Sequence, residues 1–195
     1  VLSSDGLVCV DELDKMSSED RAAMHEALEN QTVSISKANI QATLIARTTV
    51  LAAANPKFGR FDPTASVQEQ LNIPETLLSR FDLKFVLRDI PDRSLDEKLA
   101  EHIIMSRTEP KMIEPVIDLN LLRKYIAYAK RIKEFELTYD AAQHLKNFYV
   151  DMRNRYAGSE VPVVSITLRQ YEALLRLAEA SAKIRLDTKV RVEDA

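Results

Sequence analysis

Residues 7–12, Leu7-Val8-Cys9-Val10-Asp11-Glu12, constrain this chain more than any other stretch. Four apolar residues run straight into two adjacent carboxylates. A continuous apolar run of that kind predicts a strand buried on both faces, as in a parallel sheet. Such a strand delivers its last residues to the carboxyl edge of the sheet, where open α/β folds bind ligands. Two acids at that edge suit phosphoryl chemistry. Asp11 can hold Mg²⁺ through its water shell, because Mg²⁺ takes few carboxylates and keeps its waters. Glu12 can orient or deprotonate an attacking water.

A hydrophobic run closed by Asp-Glu is the Walker B pattern, and the rest of the chain must be compatible with it. Of the 195 residues, 46% are hydrophobic and 29% charged, as in an ordinary globular protein. The net charge of −3 excludes a polycation, so any nucleic-acid contact must come from a local feature. The one cysteine, Cys9, excludes an internal disulfide framework. No apolar run approaches the ~20 residues of a membrane span, and no secretory leader opens the chain. Together these read as an intracellular protein with no membrane partner. The missing initiator Met and the acidic end after Val190 read as the edges of a longer chain.

Ser17 is a good N-cap for a helix over residues 18–29. His25-Glu26 does not extend to a zinc-protease motif, since the position four after His25 is Glu29. Residues 32–36 alternate with period two, and alternation resumes from Ile40, which predicts a β-hairpin with Lys37 near its tip. Residues 49–54 form a second apolar run, stopped by Asn55-Pro56. Were this strand to neighbour the first, Asn55 would lie near Glu12. Residues 57–72 read as an irregular loop. A short helix follows over 73–82 with Leu77, Leu78 and Phe81 inward and Arg80 pointing away. Residues 83–87 read as a third strand, and Ser94-x-x-Glu97 as a capping box opening a helix with Leu95, Leu99 and Ile103 on one face. Prolines mark a boundary near residue 110, and beyond it the pattern is all helical: 118–132, 138–153, and a last helix capped by Thr167-x-x-Gln170. In that last helix Leu168 and Tyr171 are expected inward, with Arg169 in the first turn off the apolar face.

Five of these elements in this order resemble the minichromosome maintenance (MCM) replicative helicases: residues 7–16, 31–38, Ala52-Ala53-Ala54-Asn55-Pro56, Leu78-Ser79-Arg80-Phe81-Asp82-Leu83, and the later stretch with Thr167-Leu168-Arg169-Gln170. The resemblance covers nearly the whole chain. It implies an α/β fold: a partial AAA+ P-loop-type nucleotide-binding core with an inserted β-hairpin over residues 1–110, then an all-helical lid over 111–195.

The resemblance further implies an ATP- and Mg²⁺-dependent hexameric ring around DNA, archaeal-type and cytoplasmic or eukaryotic and nuclear. In it Asp11 sits at Mg²⁺ and Glu12 activates water. Asn55 is the sensor on the second strand, and Arg80 is an arginine finger acting on a neighbouring subunit. Arg169 is the lid sensor acting across the same interface, and Lys37 is the hairpin lysine that touches DNA. One departure stands out. No Gly-x-x-x-x-Gly-Lys-Ser/Thr occurs, and three glycines cannot build one. The isolated chain is therefore expected to be inactive, and a non-catalytic ring subunit that lends its arginines and lysine to partners is the alternative reading. A chelatase-like or transcription-activating AAA+ machine is a third, opposed by Ser79-Arg80-Phe81-Asp82.

Overall fold

The computed structural model describes residues 1–37, 40–109, 115–155 and 166–195, without the side chains of Lys37 and Ile40. The chain divides into two compact units, Val1–Ile90 and Pro91–Ala195.

In the first unit, β1 (Gly6–Val10) pairs in parallel with β4 (Thr48–Ala52), Val8 standing opposite Val50. The two apolar runs thus become neighbours. Parallel neighbours require a crossover, and here it contains α1 (Ser18–Asn30) and the hairpin of β2 (Thr32–Lys37) and β3 (Ile40–Ile45). Ser17 caps α1 by accepting from the Asp20 N–H. The hairpin is antiparallel, with Ser34 opposite Thr43. The outer edge of β2 is bound to α1, because the Glu26 carboxylate accepts from the Ser34 N–H (3.0 Å) and hydroxyl (2.6 Å). Those two bonds hold the Glu26 carboxyl below the usual glutamate range.

The expectation that residues 7–10 are buried on both faces needs correcting. Val8 and Val10 are half-buried, but Leu7 and Cys9 are exposed, and on β4 Leu51 is 62% exposed. One face of the β1–β4 pair packs and the other meets solvent, so burial follows period two, as for any strand covered on one side. The packed face lies on a cluster of Leu13, Ile73 and Leu77, with Met24 and Leu28 of α1 and Phe81 against it. Leu77 belongs to α2 (Glu75–Leu78) and is fully buried. Residues 57–72 are more ordered than expected. The buried Gln70 side chain donates to the carbonyls of Asp62, Ala65 and Ser66 and accepts the Asp62 N–H. Residues 83–87 are not a strand. Extended backbone becomes a strand only with a ladder partner, and this segment pairs with neither β1 nor β4, leaving Phe85 and Leu87 exposed.

The second unit opens with α3 (Arg93–Thr108). Its cap is Asp92, which accepts from the Leu95 N–H, and not Ser94, which lies inside the first turn. Leu95, Leu99 and Ile103 do share a face, but each is more than half exposed. Then come α4 (Leu119–Ala129), capped by Asp118, α5 (Tyr139–Asn154) and α6 (Leu168–Ile184). The core joins Ala141 and Leu145 of α5 to Ala178 and Ala182 of α6. Alanines at the contact let the two helices approach closely, and the Tyr149 and Tyr171 rings meet at 4.9 Å. This part is not wholly helical. A two-residue parallel pair, β5 (Glu136–Leu137) with β6 (Lys189–Val190), is anchored by fully buried Val190. Leu168, expected inward, is 66% exposed, because it sits in the first turn of α6, ahead of the packed stretch. No described helix is long and apolar enough to cross a membrane.

The C-terminal acids form a 3-10 turn, Val192–Asp194. The Asp194 carboxylate is 1% exposed and accepts from the Arg191 N–H (2.9 Å), the Arg185 guanidinium (2.5 Å) and the Ser181 hydroxyl (2.8 Å). Burial opposes its charge, but these donors outweigh it, and its pKa lies below the ordinary value.

Candidate active site

The β1–β4 register brings two sequence-predicted groups to one edge. After Val10, which faces Ala52, the chains stay joined through Ala53 N–H to the Val10 carbonyl and Leu13 N–H to the Ala53 carbonyl, both 2.9 Å. Asp11 and Glu12 therefore leave β1 beside the residues that lead from β4 to Asn55. All three are exposed at the carboxyl ends of parallel strands, where open sheets accept ligands.

The turn beyond the acids is strained and tied down. Glu12 adopts a left-handed conformation (φ 54, ψ 44), which costs a non-glycine residue on the order of 1 kcal/mol or more. Three local bonds hold it. The Asp11 carboxylate accepts the Glu12 N–H at 2.8 Å, the Lys15 N–H reaches the Glu12 carbonyl, and the Lys15 ammonium meets the Glu12 carboxylate at 2.5 Å. The Glu12 bond and charge raise the Lys15 pKa, with smaller contributions from Asp14 and Asp11. Both partners of the ion pair are more than half exposed, so it orients Glu12 more than it stabilises the fold.

Asp14 was not singled out from the sequence, yet it organises this edge. Its carboxylate accepts the Asn55 N–H at 3.0 Å, and its carbonyl accepts from Arg21 (2.7 Å) and Asn72 (3.2 Å). It thereby links the turn after β1 to Asn55, to α1 and to the segment before α2. Its partners lie up to 58 residues away, so no local pattern announces it.

Arg80 does not point into solvent as expected. Its side chain is 15% exposed, with one terminal nitrogen paired to Glu29 of α1 and the other donating to the Thr76 carbonyl. An arginine two residues after α2 can pack inward because its charge finds a carboxylate on α1. Arg169 lies in the first turn of α6, half-buried, where the Thr167–Gln170 capping box fixes the backbone. Lys37 ends β2 opposite Ile40; its side chain and the hairpin tip lie outside the described residues.

The MCM P-loop domain matches residues 1–107 and the MCM AAA-lid domain matches residues 120–195. The chain is 46% identical over 195 residues to the minichromosome maintenance protein MCM of Saccharolobus solfataricus, all of this chain and 28% of that protein. It is 46% identical over 198 residues to DNA replication licensing factor MCM4 of Oryza sativa, covering 23% of it. Against DNA replication licensing factor MCM5 of Arabidopsis thaliana the identity is 43% over 203 residues, covering 28% of it. The chain thus spans about a quarter of the length of these relatives. By both domain matches and full-chain identity, it belongs to the MCM family.

Proposed function

We propose that the chain is part of an ATP-driven replicative DNA helicase, a subunit of a hexameric ring that couples hydrolysis at subunit interfaces to movement along DNA. We assign residues 1–110 to the AAA+ base and 111–195 to the lid, a boundary supported by the domain matches at 1–107 and 120–195 even though α3 falls in the second compact unit. The observation that carries this reading is the parallel β1–β4 pair, with Asp11, Glu12 and Asn55 at one carboxyl edge.

The donor set fits the implied metal. Exposed neighbouring carboxylates suit Mg²⁺, which takes one or two and fills its shell with water and phosphate. Among the described residues no cluster of three or more His, Cys, Asp or Glu offers a closed all-protein cage. Asp11 would hold the ion; when bound it neutralises charge on the phosphoryl oxygens. Glu12, re-aimed by its left-handed backbone, takes the proton of the attacking water, and Asn55 orients that water or the terminal phosphate. Arg80 and Arg169 reach a neighbour's nucleotide, where guanidinium groups stabilise the charge that develops on the transferred group. Hydrolysis then depends on ring assembly. Lys37 grips DNA phosphates without reading sequence. In an archaeon the work is cytoplasmic, in a eukaryote nuclear.

The test is ATPase and unwinding by the full-length protein. Glu12→Gln lowers ATPase by about 10²-fold or more, and Arg80→Ala by about 10³-fold. Lys37→Ala abolishes unwinding while ATPase persists. Near-wild-type unwinding by the Glu12 or Arg80 variant refutes those roles, and lost ATPase with normal DNA binding marks Lys37 as structural.

A further inference from the structure

We propose that Glu29 is an in-cis latch for Arg80, holding the guanidinium on its own subunit until a neighbour's phosphate displaces it. This rests on the reading that Arg80 acts across a subunit interface.

Three observations carry it. One terminal nitrogen of Arg80 pairs with the Glu29 carboxylate, and the other donates to the Thr76 carbonyl. The two nitrogens that would form a fork on a phosphate are therefore both engaged within the chain. The third nitrogen, Nε, is buried with no hydrogen-bond partner among the described residues. A buried donor left unmade is a cost the pose carries, so this conformation is held by Glu29 and Thr76 rather than by full satisfaction of the guanidinium. Exposure is also unequal: 15% for the Arg80 side chain and 47% for Glu29. The pair is therefore open to solvent on its Glu29 side, and an anion of higher charge competes with that carboxylate for the arginine's terminal nitrogens as the guanidinium swings out. A terminal phosphate offers more negative oxygens than one carboxylate, and a half-exposed pair of this kind is given up at small cost. Glu29 closes the last turns of α1, the helix that follows Asp11 and Glu12. The latch thus ties the arginine sent to one site to the helix that follows the acids of the next.

The experiment uses the full-length, ring-forming protein with Glu29→Gln, which keeps shape and removes charge. A half-exposed ion pair shifts an equilibrium by up to about five-fold. The expected result is a fall of about five-fold in KM for ATP, a gain that structural damage does not mimic. The gain disappears in an Arg80→Ala background, and Glu29→Asp, which keeps the charge, moves KM back towards the wild-type value. An unchanged or raised KM, a gain that survives Arg80→Ala, or no recovery with Glu29→Asp overturns the latch. If Arg80→Ala alone leaves ATPase at the wild-type level, the trans role of Arg80 falls first and the latch falls with it.

Discussion

Replacing Leu77 by alanine tests how the first unit holds its site. Leu77 is 0% exposed and shares a cluster with Leu13, the residue directly after Asp11-Glu12, and with Ile73. The change deletes three buried carbon groups, worth roughly 2.4 kcal/mol of transfer free energy at about 0.8 kcal/mol each. A cavity term adds to this, because the wall around Leu77 is built from α1, β1 and β4 and cannot close fully. Leu→Ala changes in such sites cost about 3–5 kcal/mol when the cavity stays open. We expect about 3–4 kcal/mol, a large part of the ~5–15 kcal/mol that holds a typical domain. Urea denaturation of the 195-residue chain, followed by circular dichroism, reads this as a lower midpoint. With a slope of about 1–2 kcal/mol per molar urea, the midpoint falls by roughly 2 M. Leu168→Ala is the control, since its side chain is 66% exposed, and it shifts the midpoint by less than about 0.5 kcal/mol equivalent. A Leu77→Ala loss below about 1 kcal/mol, or equal losses in both variants, refutes the argument that this cluster carries the unit.

Two further outcomes follow from the second unit. Asp194→Asn lowers stability at neutral pH, and the deficit shrinks as pH falls. The folded carboxyl titrates below its ordinary value near 3.8, so its contribution is present above about pH 4 and is lost as pH drops through the depressed value; the gap between the two denaturation midpoints must be constant down to about pH 4 and narrow below it, and a gap that stays constant in acid refutes the role. Thr167→Ala removes the side chain that accepts the Gln170 N–H in the capping box and costs about 1 kcal/mol in the same denaturation assay, with fraying of the first turn of α6, which carries Arg169, visible by amide exchange.

Local chemistry was readable where a single residue decides it. Ser17 and the Thr167–Gln170 box each cap the helix expected of them, because a side-chain acceptor at that spacing satisfies an orphan N–H whatever lies around it; Asp118, read only as the start of a helical run, proves to be a cap as well. Alternation gave the hairpin and apolar continuity gave β1 and β4. What failed depended on distant chain. Residues 83–87 have strand composition, but strand formation needs a ladder that sequence composition does not supply. Asp92 displaced Ser94 as a cap because both are competent side chains, and the choice falls to whichever backbone stays extended: Asp92 does (φ −135, ψ 112). Arg80 reads as surface until its partner Glu29, 51 residues earlier, is known.

The candidate site shows the same division most sharply. Asp11 and Glu12 are legible as acids ending a strand, yet their geometry is set by features outside that pattern. A glutamate in a left-handed turn breaks the local rule that reserves such positions for glycine or asparagine. It persists because its neighbours over-determine it: Leu13, next in sequence, is 3% exposed in the core, and Asp14 is fixed to Asn55, Arg21 and Asn72. Burial of Leu13 pulls the chain down just after Glu12, and the bonds to Asp14 hold it there, so Glu12 has to turn. The strain is thus held by the same cluster that contains Leu77. Loosening that cluster should relax the turn and move the Glu12 carboxylate before the fold is lost. Functional geometry and core packing are here one structure, because local preference is overruled where the core can hold the exception.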